Sequence, residues 1–352
     1  MKLLENPLSV RGDSVYCPLA FSLDSYWNCL CDCAHCYLRR MNRTWGDDLR
    51  PANVESLDRR LANGLKNPNP KSPLAHCLKN KKTIRWGNKS DPFQPAERQF
   101  RISKKIFKIL IKHNWTFVIQ TMNTDVLMEY ERLIGLALDR DLITVMPVVS
   151  PGLDKDWEIL ERKATNPPAE RLSDLSELMD IGVPGGVNGE PFIPGFHTVK
   201  DFEDTLILLK EYGINRYNTY NFHFNEFVAK RLHEIGIDIE KIWFYNQDKQ
   251  WKPILQKLLA LAKKYDIILG CPDFINTGPD WVEQANTCCG IDVPNPCTFN
   301  THIWKKMAQE KKLDMISFSK TNDGSGNWKE GHKVAFGKSS AFYTLKESGV
   351  KI

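Results

Sequence analysis

The segment CLCDCAHC at residues 29–36 places four of the chain's ten cysteines on one short stretch. The spacing Cys29-x3-Cys33-x2-Cys36 brings three thiolates onto a single loop, which follows the first predicted strand. Three such thiolates can ligate three irons of a cubane iron–sulfur cluster and leave the fourth iron open. The same residues also suit a zinc site that uses Cys33 and Cys36 with two distant ligands, or a redox-active CxxC pair. Cys31 is a further thiol in the loop and an alternative ligand.

On the C-terminal side of this loop, short runs rich in Val, Ile, Phe and Tyr alternate with segments of helical period. The predicted strands, the first of which precedes the loop, span residues 15–23, 83–87, 115–121, 142–149, 186–193 and 216–222. The predicted helices span residues 54–65, 97–112, 125–138, 169–179, 199–212 and 225–235. Parallel strands joined by helices close right-handed, with the helices outside the sheet. The alternation therefore predicts an α/β fold, a partial (β/α)6 TIM-like barrel with the cysteine loop at its mouth.

The domain organisation follows from the point at which this alternation stops. Residues 1–240 are predicted to form the partial barrel, and residues 241–352 an irregular Cys-rich C-terminal extension that closes its mouth. In the extension, residues 250–264 read as a helix and 266–271 as a strand, before a loop rich in Pro, Gly, Asn and Cys.

Composition assigns the chain to the ordinary globular class, with 42% hydrophobic and 26% charged residues and 21 Gly and 20 Pro in 352 residues. Collagen-like and disordered classes are excluded. No apolar run approaches 18 residues, and Glu5 and Pro7 stand where a signal peptide needs its apolar core. We therefore expect a cytoplasmic protein that does not associate with a membrane.

Five motifs, in order and covering about residues 14–225, resemble the radical S-adenosylmethionine (SAM) superfamily, and within it the spore photoproduct lyase-like group. They are CPLAFSLDSYWNC (residues 17–29) followed by CDCAHCYL, WGNKSDPFQPAER (86–98), FVIQTMN (117–123), LERKATNPPAERL (160–172) and PFIPG (191–195). Two positions depart from the group's pattern. Met122 stands where the group has Lys, and His35 where relatives usually carry an aromatic residue.

The resemblance implies a cofactor pair, a [4Fe-4S] cluster on Cys29, Cys33 and Cys36, and SAM chelated to the open iron. Reduction of the cluster, by an electron donor such as flavodoxin or ferredoxin, would then cleave SAM to a 5′-deoxyadenosyl radical. The resemblance thus implies an enzyme that abstracts a hydrogen atom from its substrate, as a lyase or as a modifying enzyme.

Five polar or aromatic side chains are candidates for binding SAM: Tyr37, Asp91, Asn123, Ser150 and Arg171. Tyr37 follows the third cysteine, whereas Asp91, Asn123 and Ser150 follow the ends of predicted strands. Arg171 offers a guanidinium fork that matches the SAM carboxylate.

Three of these candidates also have structural interpretations. Asp91 precedes a proline and can bond its own turn, and Ser150 can cap the turn that begins at Pro151. Arg171 can pair with Glu161 or Glu170 on a helix surface. Gln94 and Arg98 lie near Asp91 in sequence, and His223 ends the sixth predicted strand, where a structural histidine is the simpler interpretation.

The remaining cysteines suggest either a second metal site or a hydrogen-atom donor. The distal group, Cys271, Cys288, Cys289 and Cys297, lies in a loop-rich segment that could hold an auxiliary Fe–S cluster or zinc. Alternatively, Cys288 and Cys289 line the substrate pocket and one of them returns a hydrogen atom to a product radical. Cys77 is another candidate donor, with an inert buried thiol as the structural interpretation.

The substrate prediction rests on the subgroup resemblance and on the chain's basic tail. Residues 301–352 contain ten lysines and five acidic residues, with interleaved aromatics, which suits nucleic acid. A solvated Lys-rich surface is the structural alternative. The predicted substrate is a thymine-like base in nucleic acid, for lesion repair or base modification, and a base in duplex DNA would have to leave the stack. The alternatives are radical modification of a peptide or small metabolite with an auxiliary cluster, and a non-catalytic, metal-bearing nucleic-acid-binding protein.

Overall fold

The protein is described by a computed structural model that covers residues 2–10, 19, 21–36, 38, 48–70, 73–219, 222 and 226–270. Its strands are β1 Leu8–Val10, β2 Phe21–Leu23, β3 Tyr26–Trp27, β4 Arg50–Pro51, β5 Ile84–Trp86, β6 Phe117–Thr121, β7 Ile143–Pro147, β8 Val187–Asn188, β9 Arg216–Asn218 and β10 Ile268–Gly270. Its helices are α1 Val54–Lys66, α2 Pro73–Lys79, α3 Glu97–Phe100, α4 Ile102–Lys112, α5 Thr124–Met128, α6 Glu131–Leu138, α7 Asp154–Leu160, α8 Pro168–Asp180, α9 Val199–Glu211, α10 Glu226–Glu234, α11 Ile239–Tyr245 and α12 Asp248–Lys264.

Eight of the strands form a mixed sheet whose central strands are parallel and follow chain order, and β3 and β4 pair as a separate antiparallel two-stranded sheet. One ladder runs β1-β2-β5-β6-β7 and another β8-β9-β10, with β1 antiparallel at the edge. Bridges from Val145 to Gly185 and from Val148 to Asn188 place β8 beside β7. Each predicted strand thus contributes to the sheet next to its predecessor, and β10 lies beside β9. This order confirms the predicted α/β class with a parallel sheet.

The central strands of the sheet are mostly apolar and are buried on both faces. Every residue of β6 and β7 is buried, which is typical of parallel strands covered by helices. The rings of Trp86, Phe107 and Phe117 make edge-to-face contacts 5.3–5.8 Å between centroids beneath α4. The helices bury one stripe each, as Leu57 and Leu61 do in α1.

One predicted helix is interrupted beside a buried carboxylate, that of Glu97. The predicted helix 97–112 is broken at Arg101, which has a left-handed φ of 52°. Glu97 is fully buried, and its carboxylate accepts the backbone N–H groups of Ser103 and Lys104 over 2.9 and 3.1 Å. These bonds satisfy the first turn of α4, so the chain restarts its helix there. The predicted helix 125–138 is also two helices, α5 and α6, and the short helices α2, α7 and α11 were not predicted.

The described chain continues beyond the predicted domain boundary at residue 240 without leaving the sheet. That boundary falls within α11, α12 packs against α9, and β10 pairs with β9. The two-domain division stays a prediction, and the Cys-rich loop and basic tail predicted for the extension lie outside the described residues. In the part of the chain described, none of the helices has the length and apolar character needed to cross a bilayer.

Candidate functional site

The predicted ligands lie on the cysteine loop, defined here as residues 28–36, directly after β3. Cys31 and Cys33 are buried, with 1% and 7% of their surface exposed, whereas Cys29 and Cys36 are partly exposed. None of the five cysteines in the described residues forms a disulfide. The loop therefore contains two buried and two partly exposed cysteines.

The thiols interact with one another, and their pKa values separate as a result. A hydrogen bond from the Cys31 thiol lowers the pKa of Cys29. The same bond, together with burial, raises the pKa of Cys31 well above its ordinary value. Burial is also the main cause that raises the pKa of Cys33. Among these three thiols, Cys29 is therefore the one whose surroundings favour the thiolate, the form that binds metal.

The first half of the loop is fixed by a side chain from the segment after β5. Gln94 is fully buried, and its Oε1 accepts the backbone N–H of Leu30 over 2.7 Å. Its Nε2 donates to the carbonyl of Asn28 over 3.2 Å. Asn28 has a left-handed φ of 77°, and its own Oδ1 accepts the N–H of Cys29. Gln94, which sequence placed near Asp91, is thus a positioning residue for the cysteine loop.

The second half of the loop is fixed from α10 and α7. Arg231 in α10 donates to the carbonyls of Cys33 and Asp32 over 2.7 and 3.0 Å, and to Asp32 Oδ1 over 2.8 Å. The N–H of Ala34 donates to the carbonyl of Leu160 at the end of α7. Sequence reasoning missed Arg231, which lies 198 residues from Cys33 and carries no local motif that could have revealed it.

Asp91 and Asn123 lie beside the loop, and both make their hydrogen bonds within the protein. The Asp91 carboxylate accepts from Thr121 Oγ1, the Met122 N–H and the Phe93 N–H over 2.7–2.8 Å. Burial raises the pKa of Asp91 against the effect of these bonds. Asn123 Nδ2 donates to Cys31 Sγ over 3.3 Å. These contacts join the ends of β5 and β6 to the cysteine loop.

Ser150 and Arg171 meet at a third side chain, Glu161. The Ser150 hydroxyl donates to Glu161 Oε1 over 3.0 Å, and Arg171 Nη1 contacts Glu161 Oε2 over 2.7 Å. Arg171 also donates to the carbonyls of Val148 and Asn166. Arg171 therefore forms the ion pair with Glu161 that its sequence suggested, but in the interior and not on a helix surface.

Three buried donor or acceptor atoms around this site have no hydrogen-bond partner within the described residues. They are His35 Nδ1, Trp157 Nε1 and Arg171 Nη2. Trp157 packs against the apolar cluster formed by Cys31, Cys33, Met122 and Ala164. Buried polar atoms are seldom left unpaired, so these three atoms retain hydrogen-bonding capacity that the described residues do not use.

Other candidates lie away from the loop or outside the described residues. Cys77 is fully buried in the main core, whereas the loop cysteines belong to a separate cluster. Arg98 is half exposed and pairs with Asp125 and Glu129. The candidates that lie outside the described residues are Tyr37, His223, Cys271, Cys288, Cys289 and Cys297.

The residues present fit an iron–sulfur cluster in donor chemistry. Thiolates at this spacing are the usual ligands of such clusters, and the neighbouring His35, Trp157 and Arg171 atoms have unmet hydrogen-bonding capacity. In the described part of the chain, no three His, Cys, Asp or Glu side chains already have the arrangement of a metal site. The fit therefore rests on ligand type and spacing, not on a finished coordination geometry.

No family model and no curated protein matches the chain. Among solved structures, Streptococcus suis SuiB bound to its precursor peptide SuiA matches with 13% identity and a TM-score of 0.48, over 74% of this chain and 49% of that one. SuiB bound to S-adenosylmethionine matches with 13% identity and a TM-score of 0.42, over 65% and 48%. The cobalamin-dependent S-adenosylmethionine radical enzyme OxsB matches with 10% identity and a TM-score of 0.40, over 93% and 49%. The chain spans about half the length of these solved chains.

Proposed function

We propose that this protein is a radical SAM enzyme of the spore photoproduct lyase-like group. The observation that carries the proposal is the loop with Cys29, Cys33 and Cys36, whose two halves are fixed from separate elements by Gln94 and Arg231. A loop held in this way can present three thiolates to one cluster. The five ordered motifs in the sequence support the same assignment.

Cys29, Cys33 and Cys36 would hold the [4Fe-4S] cluster. When bound, such a cluster supplies an open iron for the amino and carboxylate groups of SAM and the electron that cleaves SAM to a 5′-deoxyadenosyl radical. The surrounding residues bind and orient the loop. Asn123 holds Cys31, and Met122 packs with its sulfur 3.7 Å from Cys33 Sγ, which excludes water from the buried side.

The same proposal includes a partial (β/α)6 barrel. Two observations support it: the chain-order sequence of parallel strands, and the contact between the loop near the first parallel strand and α10, which follows β9. Strands at opposite ends of a flat sheet would keep these two segments apart. A curved sheet brings the carboxyl ends of its strands around one mouth.

For the substrate, we propose a thymine-like base in nucleic acid, with a flavodoxin or ferredoxin as electron donor in the cytoplasm. The subgroup resemblance and the ten lysines of residues 301–352 support this choice. The four distal cysteines support the second candidate, modification of a peptide or small metabolite with an auxiliary cluster.

The central test is anaerobic reconstitution of the full chain, followed by reduction in the presence of SAM and assay of 5′-deoxyadenosine. We expect about four irons per chain and product formation, both lost in Cys29→Ala, Cys33→Ala and Cys36→Ala. Cys77→Ala removes a thiol from the main core and serves as the matched control, which should keep its iron. A colourless protein that contains zinc, or three variants equal to the parent, would contradict the proposal.

Substrate class is tested separately. Retention on a thymine-containing oligonucleotide should fall with salt, with a logarithmic slope of about 0.9 per phosphate contacted on duplex DNA. Salt-independent or absent retention, combined with about eight irons per chain, favours the peptide or metabolite candidate.

A further inference from the structure

Arg231 makes a set of contacts that the proposed cofactor chemistry does not itself require. Its guanidinium bonds two successive backbone carbonyls of the cysteine loop, those of Asp32 and Cys33, and also the Asp32 carboxylate. We propose that Arg231 is a positioning residue that fixes Cys33 for cluster binding and couples α10 to the cysteine loop. The role in cluster binding rests on the proposed function, whereas the fixing of the loop does not.

The backbone of the loop explains why such a residue is needed. Asp32 has a φ of 51°, in the left-handed region that residues with a Cβ rarely adopt. Its carboxylate is held there by Arg231 over 2.8 Å and by Lys163 over 2.7 Å. Because this conformation is intrinsically unfavourable, it persists only where surrounding contacts determine it.

Arginine is suited to this position in a way that lysine is not. A guanidinium presents several N–H donors in a planar fork, so one side chain can bond two carbonyls and a carboxylate at once. Lys163 bonds the Asp32 carboxylate through a single ammonium group, and 62% of its side chain is exposed. Arg231 is mostly buried, with 17% of its side chain exposed, so its bonds are less open to competition from water.

The helix that carries Arg231 is itself firmly packed. Val228 and Leu232 of α10 are fully buried in a cluster that also contains Ala34 of the cysteine loop and Ile242 of α11. The segment from Asp32 to Ala34 therefore rests on α10 through both polar and apolar contacts. A displacement of α10 would be transmitted directly to the backbone of Cys33.

The experiment compares Arg231→Gln, Arg231→Lys and the exposed neighbour Lys230→Ala in the full chain. The first readout is the rate at which the buried Cys31 and Cys33 thiols react with N-ethylmaleimide in the cluster-free protein, followed by mass spectrometry. We expect faster modification in Arg231→Gln, an intermediate rate in Arg231→Lys, and the parent rate in Lys230→Ala.

The second readout is iron retained after anaerobic reconstitution. Loss of a residue that orients ligands typically weakens metal binding by about 10-fold or more, so we expect Arg231→Gln to retain about 10-fold less tightly bound iron. The reduction potential of the cluster that Arg231→Gln still binds should be more negative than that of the parent, because a positive charge near Cys33 has been removed. A residue that merely stabilised the fold would not shift this potential.

Asp32→Asn removes the same ion pair from the other side and tolerates the left-handed backbone, so it replaces Arg231→Gln if that variant does not fold. Unchanged thiol reactivity in folded Arg231→Gln would overturn the inference whether or not iron binds. A parent protein that binds no iron would overturn the proposed function and the role in cluster binding, while the thiol readout would still decide whether Arg231 fixes the loop.

Discussion

Glu161 and Arg171 form an ion pair 2.7 Å long in which the two side chains are 1% and 0% exposed. The pair links the segment after α7 to α8, and Ser150 donates to the same carboxylate. A buried carboxylate depends on such partners, because the interior solvates a lone charge poorly. The pair therefore fixes the segment after α7, whose neighbour Leu160 accepts the N–H of Ala34 in the cysteine loop.

We predict that Arg171→Met destabilises the protein by about 3–5 kcal/mol, since it leaves the Glu161 charge buried without its counter-charge, with the Ser150 hydroxyl still donating to it. The measurement is urea unfolding at neutral pH. The double variant Arg171→Met with Glu161→Leu is the control and should recover much of the loss, because apolar replacement of a buried pair is often neutral. Equal unfolding midpoints for parent and Arg171→Met would contradict the interpretation.

Asp24 should make stability depend on pH in the direction opposite to an ordinary surface carboxylate. Burial raises its pKa, although its Oδ1 accepts the Lys89 N–H over 2.6 Å. A carboxyl whose pKa is higher in the folded chain contributes stability at low pH that is lost as pH rises through the folded value. We predict that Asp24→Asn gains stability relative to the parent as pH rises above the ordinary aspartate pKa of about 4, as measured by urea unfolding at several pH values.

Asp58 provides the control for that experiment, because Lys112 and His113 lower its pKa. Its contribution is present at neutral pH and is lost as pH falls through the folded value, so Asp58→Asn should lose stability relative to the parent at neutral pH. Parallel pH profiles for the two variants would contradict both assignments.

Local patterns predicted the order of the strands but not where the chain interrupts its helices. The runs in β6 and β7 are mostly apolar and β-branched, so their type and position followed from the sequence. The break at Arg101 depends on Glu97, whose carboxylate caps α4 only because tertiary packing buries it. A charged residue within a helical period gives no sign of that role.

The candidate site shows the same division between local and distant information. The thiols of Cys29, Cys33 and Cys36 were evident from their spacing. The sequence offered Glu161 and Glu170 as ion-pair partners of Arg171. The structure shows that the partner is Glu161 and that the pair is buried, which the sequence did not indicate. The bonds of Arg231 to the loop cross 198 residues, and only the fold brings those atoms together.

Two glycines should respond in opposite ways to alanine. A Cβ at Gly189 would lie 1.9 Å from Cζ of Tyr217, whose hydroxyl is bonded to the Val149 carbonyl and fixes the ring. We predict that Gly189→Ala costs about 1–3 kcal/mol, as overpacking does. Gly135 lies within α6 with open space around it, so Gly135→Ala should stabilise by about 0.5–1 kcal/mol. The measurement is the thermal unfolding temperature of both variants. A change of the same sign in the two temperatures would contradict the packing argument.

Gln94 is the residue whose substitution tests the first half of the cysteine loop. In Gln94→Glu the acceptor for the Leu30 N–H remains, but the donor to the Asn28 carbonyl becomes an oxygen, so two acceptors face each other. An unmet buried polar group costs about 1–3 kcal/mol, and a charged one costs more. We predict a loss of at least this size in urea unfolding, together with faster alkylation of Cys29. Gln99→Glu, at an exposed position in α3, makes the same chemical change and should alter neither measurement. If both variants behave alike, Gln94 does not hold the loop.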